Sequence, residues 1–173
     1  MVAGEANNPY PTHNPQTERM RLGNQPRRVL ILSRNNRCRS QMLDAWIRHI
    51  AGPRLEVVSA GIMPDDLHPL SVEVMFEVGM DISTQKPTDI NDVITDNFEF
   101  VITIDDYTRD NSPAVTGARW KVHHAFRDPD MVPGDDERRL GAFRMTRDEV
   151  HDWAKTFVTW AVQQPTEQQA VSA

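Results

Sequence analysis

Short apolar runs alternate along the chain with segments in which apolar residues recur at helical spacing. Four of the runs predict strands, at residues 28–32, 54–60, 98–104 and 120–126. The first is unbroken from Val29 to Leu32, which is typical of a strand buried on both faces of a parallel sheet. The intervening and following segments predict helices, over residues 40–50, 68–79, 90–97 and from 135 to about 161.

This alternation predicts a single three-layer α/β domain over residues 28–162, with a four-stranded parallel sheet and helices on both faces. Right-handed crossovers make the arrangement flavodoxin-like. Residues 1–27 are polar and contain Asn-Pro and Tyr-Pro steps, so they predict an extended or disordered arm. The arm is either a flexible tail or a docking element for a protein partner. Residues 163–173 predict a polar, frayed tail.

The apolar positions also predict which side of each helix faces the core. In the first helix they are Met42, Leu43, Trp46, Ile47 and Ile50. In the second they are Val72, Met75, Phe76 and Val78. In the last they are Leu140, Phe143, Val150, Trp153, Ala154, Phe157, Trp160 and Ala161, with a break left open. His68, directly before the second helix, is expected to be a surface residue.

The segment between the first strand and the first helix, Ser33–Ser40, is the strongest candidate for chemistry. A strand, a tight polar loop and a helix start aim backbone N–H groups at one point, and the first N–H groups of a helix lack internal partners. Arg34, Arg37 and Arg39 add positive charge, and a guanidinium can bind an oxyanion with two parallel hydrogen bonds. The segment therefore predicts a cradle for a phosphate-like anion, although an ordinary turn with solvated arginines fits the same pattern.

Composition narrows the remaining classes of function. The net charge of -6 argues against a general nucleic-acid binder, and no apolar run approaches the length of a membrane span. The single cysteine suits a reducing compartment, and the absence of an apolar leader leads us to expect a cytoplasmic protein. No zinc spacing is present, and the adjacent His123 and His124 point to opposite faces of a strand, so we expect no metal and no cofactor. Asp105 and Asp106 follow the third strand and could bind a metal or act as an acid and a base, but we expect them to cap the next helix.

The loop sequence Ser33-Arg-Asn-Asn-Arg-Cys-Arg-Ser40 resembles the signature loop of the low-molecular-weight protein tyrosine phosphatases and of the related thioredoxin-coupled arsenate reductases. In that family the loop consists of Cys, five residues, Arg and Ser. Arg39, Ser40 and Asn36 match, and Cys38 matches the second cysteine of many members. The resemblance extends through Ser59-Ala60-Gly61 and implies the strand order 2-1-3-4 over residues 28 to about 160.

The resemblance also implies roles for individual residues. Arg39 would hold the oxyanion, and Asp128 of Asp128-Pro129 matches the general acid of the family. The rest of the cradle would be formed by Arg34, Asn35, Asn36, Arg37, Cys38 and Ser40. The expected ligand is phosphate, sulfate or arsenate, free or carried as phosphate by a phosphorylated protein. Asn36, Asp44 and Ser59 occupy the places at which the arsenate reductases bind potassium, and whether this chain binds the ion is left open.

Position 33 departs from the family, because Ser33 occupies the place of the nucleophilic cysteine. A serine hydroxyl ionises far less readily than a thiol, and the cradle supplies no general base to activate it. Cys38 cannot substitute, because the position six residues after it is Asp44 rather than Arg. Asp105 and Ser112 stand where the arsenate reductases carry their two further cysteines, so thioredoxin-coupled reduction has no thiols to pass electrons.

Three interpretations follow from this departure. The first, which we prefer, is a catalytically impaired homologue that binds an oxyanion and acts as a binding, regulatory or structural module. The second is an active tyrosine phosphatase whose nucleophilic cysteine has been exchanged for Ser33 artificially. The third is a slow enzyme that uses Ser33 itself as the nucleophile on a phosphoester or acyl group.

Overall fold

The computed structural model describes residues 25–165, and within them a four-stranded parallel sheet forms the centre. The strands are β1 (Arg27–Ser33), β2 (Leu55–Gly61), β3 (Phe100–Thr103) and β4 (Trp120–His123). Their order in the sheet is β2-β1-β3-β4, and each neighbouring pair runs parallel. The predicted α/β class and the strand order 2-1-3-4 are confirmed.

The helices follow the strands in the predicted alternation. They are α1 (Arg39–Ala51), α2 (Pro69–Phe76), α3 (Asp106–Asn111) and α4 (Asp136–Ala161). The break that the sequence leaves open in the last helix does not occur, since α4 is continuous over 26 residues. Asp135 caps its start, because the side chain accepts a hydrogen bond from the backbone N–H of Arg138 at 2.9 Å.

Both faces of β1 are buried, as its unbroken apolar sequence predicts. Val29 and Ile31 face the larger core, which lies under α1, α2 and α4. Leu30 and Leu32 point to the opposite face, where a smaller cluster contains Ile90, Phe98, Val101 and Val115. Side chains alternate across a strand, so one four-residue run supplies both cores. None of the helices between residues 25 and 165 combines the length and apolar character that a membrane span requires.

Several elements are shorter than predicted. The segment 90–97 forms only one 3-10 turn, Ile90–Asp92, and the backbone leaves the helical region at Val93, where φ is -126°. The fourth strand ends at His123 rather than at 126. The second helix ends at Phe76, where the chain turns through Gly79 in the left-handed region.

The predicted apolar face of α2 is partly wrong. Phe76 is 69% exposed and Val78 is 42% exposed, whereas Ser71, Val74 and Met75 are buried. The buried set has the spacing i, i+3 and i+4, which is one side of a helix. Phe76 lies one further residue round the helix, about 100° away, so its side chain points to solvent.

The predicted N-terminal arm (1–27) and C-terminal tail (163–173) lie almost wholly outside the described residues. β1 begins at Arg27, whose guanidinium pairs with Glu99 at 2.6 Å and also donates to the carbonyl of Ala161 at 2.6 Å. The sheet is therefore joined to the end of α4 at this corner. Docking of a partner on the arm stays a prediction.

Candidate functional site

The anion loop, which we define as Arg34–Cys38, connects the C-terminal end of β1 to the N-terminus of α1. Asn36 at its centre has φ of 49°, in the left-handed region that asparagine tolerates better than most residues. Its Oδ1 accepts hydrogen bonds from the backbone N–H of Thr88 at 2.9 Å and from Gln41 Nε2 at 3.1 Å. These bonds offset the cost of that conformation and hold the loop closed over the end of the sheet.

Ser33 lies buried at the base of the loop, with 4% of its surface exposed. Its Oγ accepts a hydrogen bond from the backbone N–H of Asn36 at 2.9 Å and is hydrogen-bonded to Ser40 Oγ at 2.9 Å. Ser40 Oγ in turn accepts from Asn36 Nδ2 at 3.1 Å. Among residues 25–165, no carboxylate and no imidazole is hydrogen-bonded to Ser33, so its hydroxyl has no adjacent base there.

The backbone N–H groups of the loop are only partly used. That of Arg34 donates to Asp105 Oδ2 at 3.1 Å, and that of Asn36 donates to Ser33. Within the described part of the chain, the N–H groups of Asn35, Arg37 and Cys38 make no hydrogen bond. Together with the first turn of α1, these free donors form the kind of concave surface that binds anions.

Arg39 is the first residue of α1, and its side chain is 13% exposed. One guanidinium nitrogen donates to the carbonyl of Phe126 at 2.7 Å, and the other terminal nitrogen donates to Asp128 Oδ2 at 2.8 Å. Asp128 also caps the 3-10 turn Pro129–Met131, since its Oδ1 accepts from the backbone N–H of Asp130 at 3.2 Å. The predicted oxyanion-binding arginine and the predicted acid therefore lie side by side.

The other predicted side chains of the cradle point elsewhere. The guanidinium of Arg34 lies over the ring of Tyr107, 4.7 Å from its centroid. Arg37 pairs with Asp65 at 2.8 Å. Asn35 Nδ2 donates to the carbonyl of Met63 at 3.0 Å. In this arrangement the loop offers backbone groups and Arg39 to a ligand, while Arg34 and Arg37 act at the rim.

Cys38 is buried, with 6% of its surface exposed. Burial raises the pKa of its thiol to about 12, and the Ser71 hydroxyl and the charge of Arg39 only partly oppose this rise. A thiol in that state is almost wholly protonated near neutral pH and is a poor nucleophile.

A cavity of about 360 Å³ opens above the loop. Ser33 and the anion loop form its floor, and its walls carry Asp105, Tyr107, Asp128, Asp130 and Met131. The cavity is lined by both carboxylates and arginines, so an anion bound there would be attracted by the guanidinium groups and repelled by the carboxylates. Within residues 25–165, no group of three or more His, Cys, Asp or Glu side chains is placed to hold a metal ion.

Asp105 acts as a helix cap, as predicted, because Oδ1 accepts from the backbone N–H of Thr108 at 2.7 Å. Its neighbour Asp106 pairs with Arg109 at 2.8 Å and with His123 at 3.2 Å. His124 stacks on Trp153, with the ring centroids 5.2 Å apart. The two adjacent histidines thus have different surroundings and share no site.

The expectation that His68 lies on the surface is wrong. It is 6% exposed, its ring packs on Phe143 with centroids 4.6 Å apart, and Nε2 lies 3.2 Å from Asp130 Oδ1. Burial lowers its pKa, with Asp130 opposing. Sequence reasoning also missed Asp130 itself. The available signal is that Asp130 is a second carboxylate only two residues after Asp128. A residue so close in the same turn can influence the position of the acid.

The residues at the potassium position of the related enzymes do not fit a free cation here. Both described contacts of Asn36 Oδ1 are with donors, as given above, and the Asp44 carboxylate forms an ion pair with the Arg48 guanidinium. Burial raises the pKa of Asp44, and Arg48 and Ser59 oppose that rise. A larger cavity of about 600 Å³ lies beside this pair and includes Ser59, but it does not include Ser33 or the anion loop. The guanidinium of Arg48 thus supplies, beside the Asp44 carboxylate, the positive charge that a potassium ion would otherwise supply.

The comparisons with known proteins agree with this geometry. A family model described as low molecular weight phosphotyrosine protein phosphatase matches residues 28–164. An arsenate reductase of Halalkalibacterium halodurans is 35% identical over 129 residues, which cover 75% of this chain and 93% of that relative. An arsenate reductase of Bacillus subtilis is 34% identical with the same coverage. A solved arsenate reductase in the phosphate binding state aligns with a TM-score of 0.68 and 25% identity, over 78% of this chain and 98% of that one. The chain therefore belongs to the low molecular weight phosphotyrosine protein phosphatase family.

Proposed function

We propose that this protein binds a tetrahedral oxyanion in the anion loop and works as a binding or regulatory module with impaired catalysis. The ligand is phosphate, sulfate or arsenate, or the phosphoryl group of a phosphorylated protein. The observation that carries the proposal is the set of backbone N–H groups of Asn35, Arg37 and Cys38 that lack partners among residues 25–165, directly before the N-terminus of α1. A solved relative described as being in the phosphate binding state supports it.

Arg39 completes the binding surface. Two of its guanidinium nitrogens are engaged by Phe126 and Asp128, which fix the orientation of the group beside the loop. The remaining N–H bonds of that guanidinium are the donors that an oxyanion can use. Hydrogen bonds from charged donors are stronger than neutral ones, so Arg39 contributes more than any single loop amide.

Impaired catalysis follows from Ser33. A cysteine here would be ionised by the same loop amides and helix start that bind the anion. A serine hydroxyl needs a base to remove its proton, and its described partners are Asn36 N–H and Ser40 Oγ, neither of which is a base. Arsenate reduction would require thiols to carry the electrons, and the single cysteine, Cys38, is buried and protonated. A lone, buried thiol also suits the cytoplasm.

A second candidate is the active phosphatase with an artificially exchanged cysteine. The presence of both Arg39 and Asp128 beside the anion loop, 2.8 Å apart, favours it, because these match the oxyanion-binding arginine and the general acid of the family. The two candidates predict different codons at position 33 in the natural gene. A serine codon supports the impaired homologue, and a cysteine codon supports the phosphatase.

The experiment that tests the proposed binding is titration with inorganic phosphate by calorimetry, with Arg39→Ala as the variant. We expect Arg39→Ala to weaken binding at least about tenfold, because a charge-assisted hydrogen bond is worth roughly 1.5–3 kcal/mol. Lys155→Ala is the matched control, since it removes one positive charge from α4 at an exposed pair with Asp152. Equal phosphate affinity in Arg39→Ala and in the unaltered chain would refute the proposal.

A further inference from the structure

We propose that Asp130 is a positioning residue that locks the acid loop, residues 127–131, against the anion loop. The role of this lock in ligand binding or catalysis rests on the proposed function. The contacts that form the lock are present without a ligand. The family resemblance gives Asp130 no role. Its contacts join three separate parts of the fold at one carboxylate, and Asp128 is two residues away in the same turn.

The carboxylate of Asp130 has partners on three sides. Oδ1 lies 3.2 Å from His68 Nε2 and 3.4 Å from a guanidinium nitrogen of Arg139. Oδ2 lies 4.0 Å from a guanidinium nitrogen of Arg37. His68 precedes α2, Arg139 belongs to α4, and Arg37 belongs to the anion loop. A single side chain therefore ties the acid loop to each of these elements.

His68 is the best-fixed of these partners. Its Nδ1 accepts a hydrogen bond from the backbone N–H of Leu70 at 3.1 Å, so in the neutral ring the proton is on Nε2, which donates to Asp130. The His68 backbone N–H donates to the carbonyl of Arg37 at 2.9 Å. Because its ring is buried against Phe143, His68 has little freedom to move. It therefore connects the anion loop and the acid loop through two hydrogen bonds of one residue.

The lock acts on Asp128 through the short turn between them. Asp128 Oδ1 accepts from the backbone N–H of Asp130 at 3.2 Å, and the N–H of Met131 donates to the carbonyl of Asp128 at 3.3 Å. The same Asp128 side chain reaches Arg39 through Oδ2. A shift of Asp130 away from His68 would pull on this turn and separate Asp128 from Arg39. The side of the cavity formed by Asp128, Asp130 and Met131 would then open.

Hydrogen exchange of the unliganded protein tests the lock directly. The backbone N–H groups of Asp130, Met131 and Val132 are bonded within the turn, so their exchange rates report its opening. We expect Asp130→Asn to speed their exchange at least about tenfold. Without the contacts of the carboxylate, the free energy needed to open the turn falls, and the protection of its N–H groups falls with it. His68→Asn should act in the same direction. The backbone of α1 should keep its protection in both variants.

Asp65→Asn is the matched control. It removes the same charge from the other carboxylate paired with Arg37, at 2.8 Å, but Asp65 has no described contact with the acid loop. Its exchange in the turn should equal that of the unaltered chain. Equal protection in Asp130→Asn and in the unaltered chain overturns the proposal, and so does an equal loss of protection in Asp65→Asn. Because no anion is present, this result does not depend on whether the oxyanion-binding proposal holds.

A kinetic measurement separates positioning from mere folding. In the Ser33→Cys chain, adding Asp130→Asn should lower kcat for p-nitrophenyl phosphate at least about tenfold, since a misplaced general acid forfeits part of a 100- to 10,000-fold contribution. KM should change less than kcat, because the loop amides and the hydrogen bond from Arg39 to the Phe126 carbonyl remain in place. Asp130→Glu keeps the carboxylate and should restore part of kcat. A kcat equal to that of Ser33→Cys alone overturns the positioning role. If Ser33→Cys itself is inactive, the catalytic proposal fails, and the role of Asp130 is then tested by the hydrogen-exchange rates alone.

Discussion

Ser33 Oγ and Ser40 Oγ lie 2.9 Å apart at the base of the anion loop, one at the end of β1 and the other in the first turn of α1. In this pair Ser33 donates to Ser40, and a thiolate at position 33 could instead accept a hydrogen bond from the Ser40 hydroxyl. What the pair lacks is acidity, because a serine hydroxyl in this position stays protonated. We therefore expect a single substitution at position 33 to change the chemistry of the site without changing its architecture.

Exchanging the hydroxyl for a thiol tests this separation. We expect the unaltered chain to leave p-nitrophenyl phosphate unhydrolysed, and we expect Ser33→Cys to raise kcat/KM at least about a hundredfold. The reason is that the loop amides and helix N-terminus can lower a thiol pKa to roughly 3.5–7.5, whereas no base is available to the serine. Initial rates at pH 6 with Ser33→Ala as the blank provide the measurement. Hydrolysis by the unaltered chain at the rate of Ser33→Cys would contradict the proposed impairment.

The single cysteine should be inert. With its thiol pKa at about 12, the ionised fraction of Cys38 at pH 8 is of the order of 10⁻⁴, compared with roughly a quarter for a free cysteine of pKa near 8.5. Between pH 7 and pH 9 the alkylation rate of the folded chain should rise about tenfold per pH unit, because the thiolate fraction rises in that proportion. Mass spectrometry after iodoacetamide treatment at pH 8, folded and in denaturant, measures the difference. Rapid modification of the folded chain would show that the loop opens and exposes the thiol.

Most of the fold could be predicted from the sequence, because it depends on local patterns. The buried run Val29–Leu32 and the stripe of α1 each follow from a single periodicity. Phe76 was misassigned because α2 carries more apolar residues than one face can bury, so the choice of face depends on where α4 lies. His68 was misassigned because its partner Asp130 is 62 residues away. No local pattern reports a contact of that separation.

The candidate site divides in the same way. The position of the anion loop, Arg39 and Asp128 could be predicted because the resemblance rests on contiguous motifs. The outward orientation of Arg37 could not, since it is set by Asp65 and Asp130 on other segments. The occupation of the Arg34 N–H by Asp105 was also hidden, although the capping role of that aspartate was predicted. These charged and hydrogen-bonded partners come from loops that follow different strands, so they are brought together only when the sheet has formed.

A side chain at Gly61, at the end of β2, should crowd the anion loop. An added Cβ would lie 3.0 Å from Asn36 Cβ and 3.1 Å from the carbonyl oxygen of Arg34, so the anion loop would have to move. We expect Gly61→Ala to lower the free energy of unfolding by roughly 1–3 kcal/mol, as overpacking usually does, and to weaken phosphate binding. Urea denaturation and calorimetry measure the two effects. The matched control is Gly141→Ala in α4. An added Cβ there would meet no atom within 4 Å apart from the adjoining backbone of the helix, and alanine should stabilise the helix by about 0.5–1 kcal/mol. A neutral Gly61→Ala would mean that the loop is not packed against β2 in solution.

Potassium should not stabilise this protein more than sodium does. The carboxylate of Asp44 is paired with Arg48, whose guanidinium also donates to the carbonyl of Val57, and the described contacts of Asn36 Oδ1 are both with N–H donors. A cation would have to displace the guanidinium and compete with those donors. We therefore expect the melting temperatures in equal concentrations of KCl and NaCl to agree to within about 1 °C, since an ion that does not bind the native state contributes no linkage term.

Arg48→Met frees the carboxylate while keeping the apolar stem, and it should make the melting temperature rise with added potassium if the other ligands remain in place. Asp44→Asn in the same background removes the charge and should abolish any such rise. A potassium-specific rise of several degrees in the unaltered chain would show that Arg48 yields to the ion and that the pair with Asp44 is weaker than its burial implies.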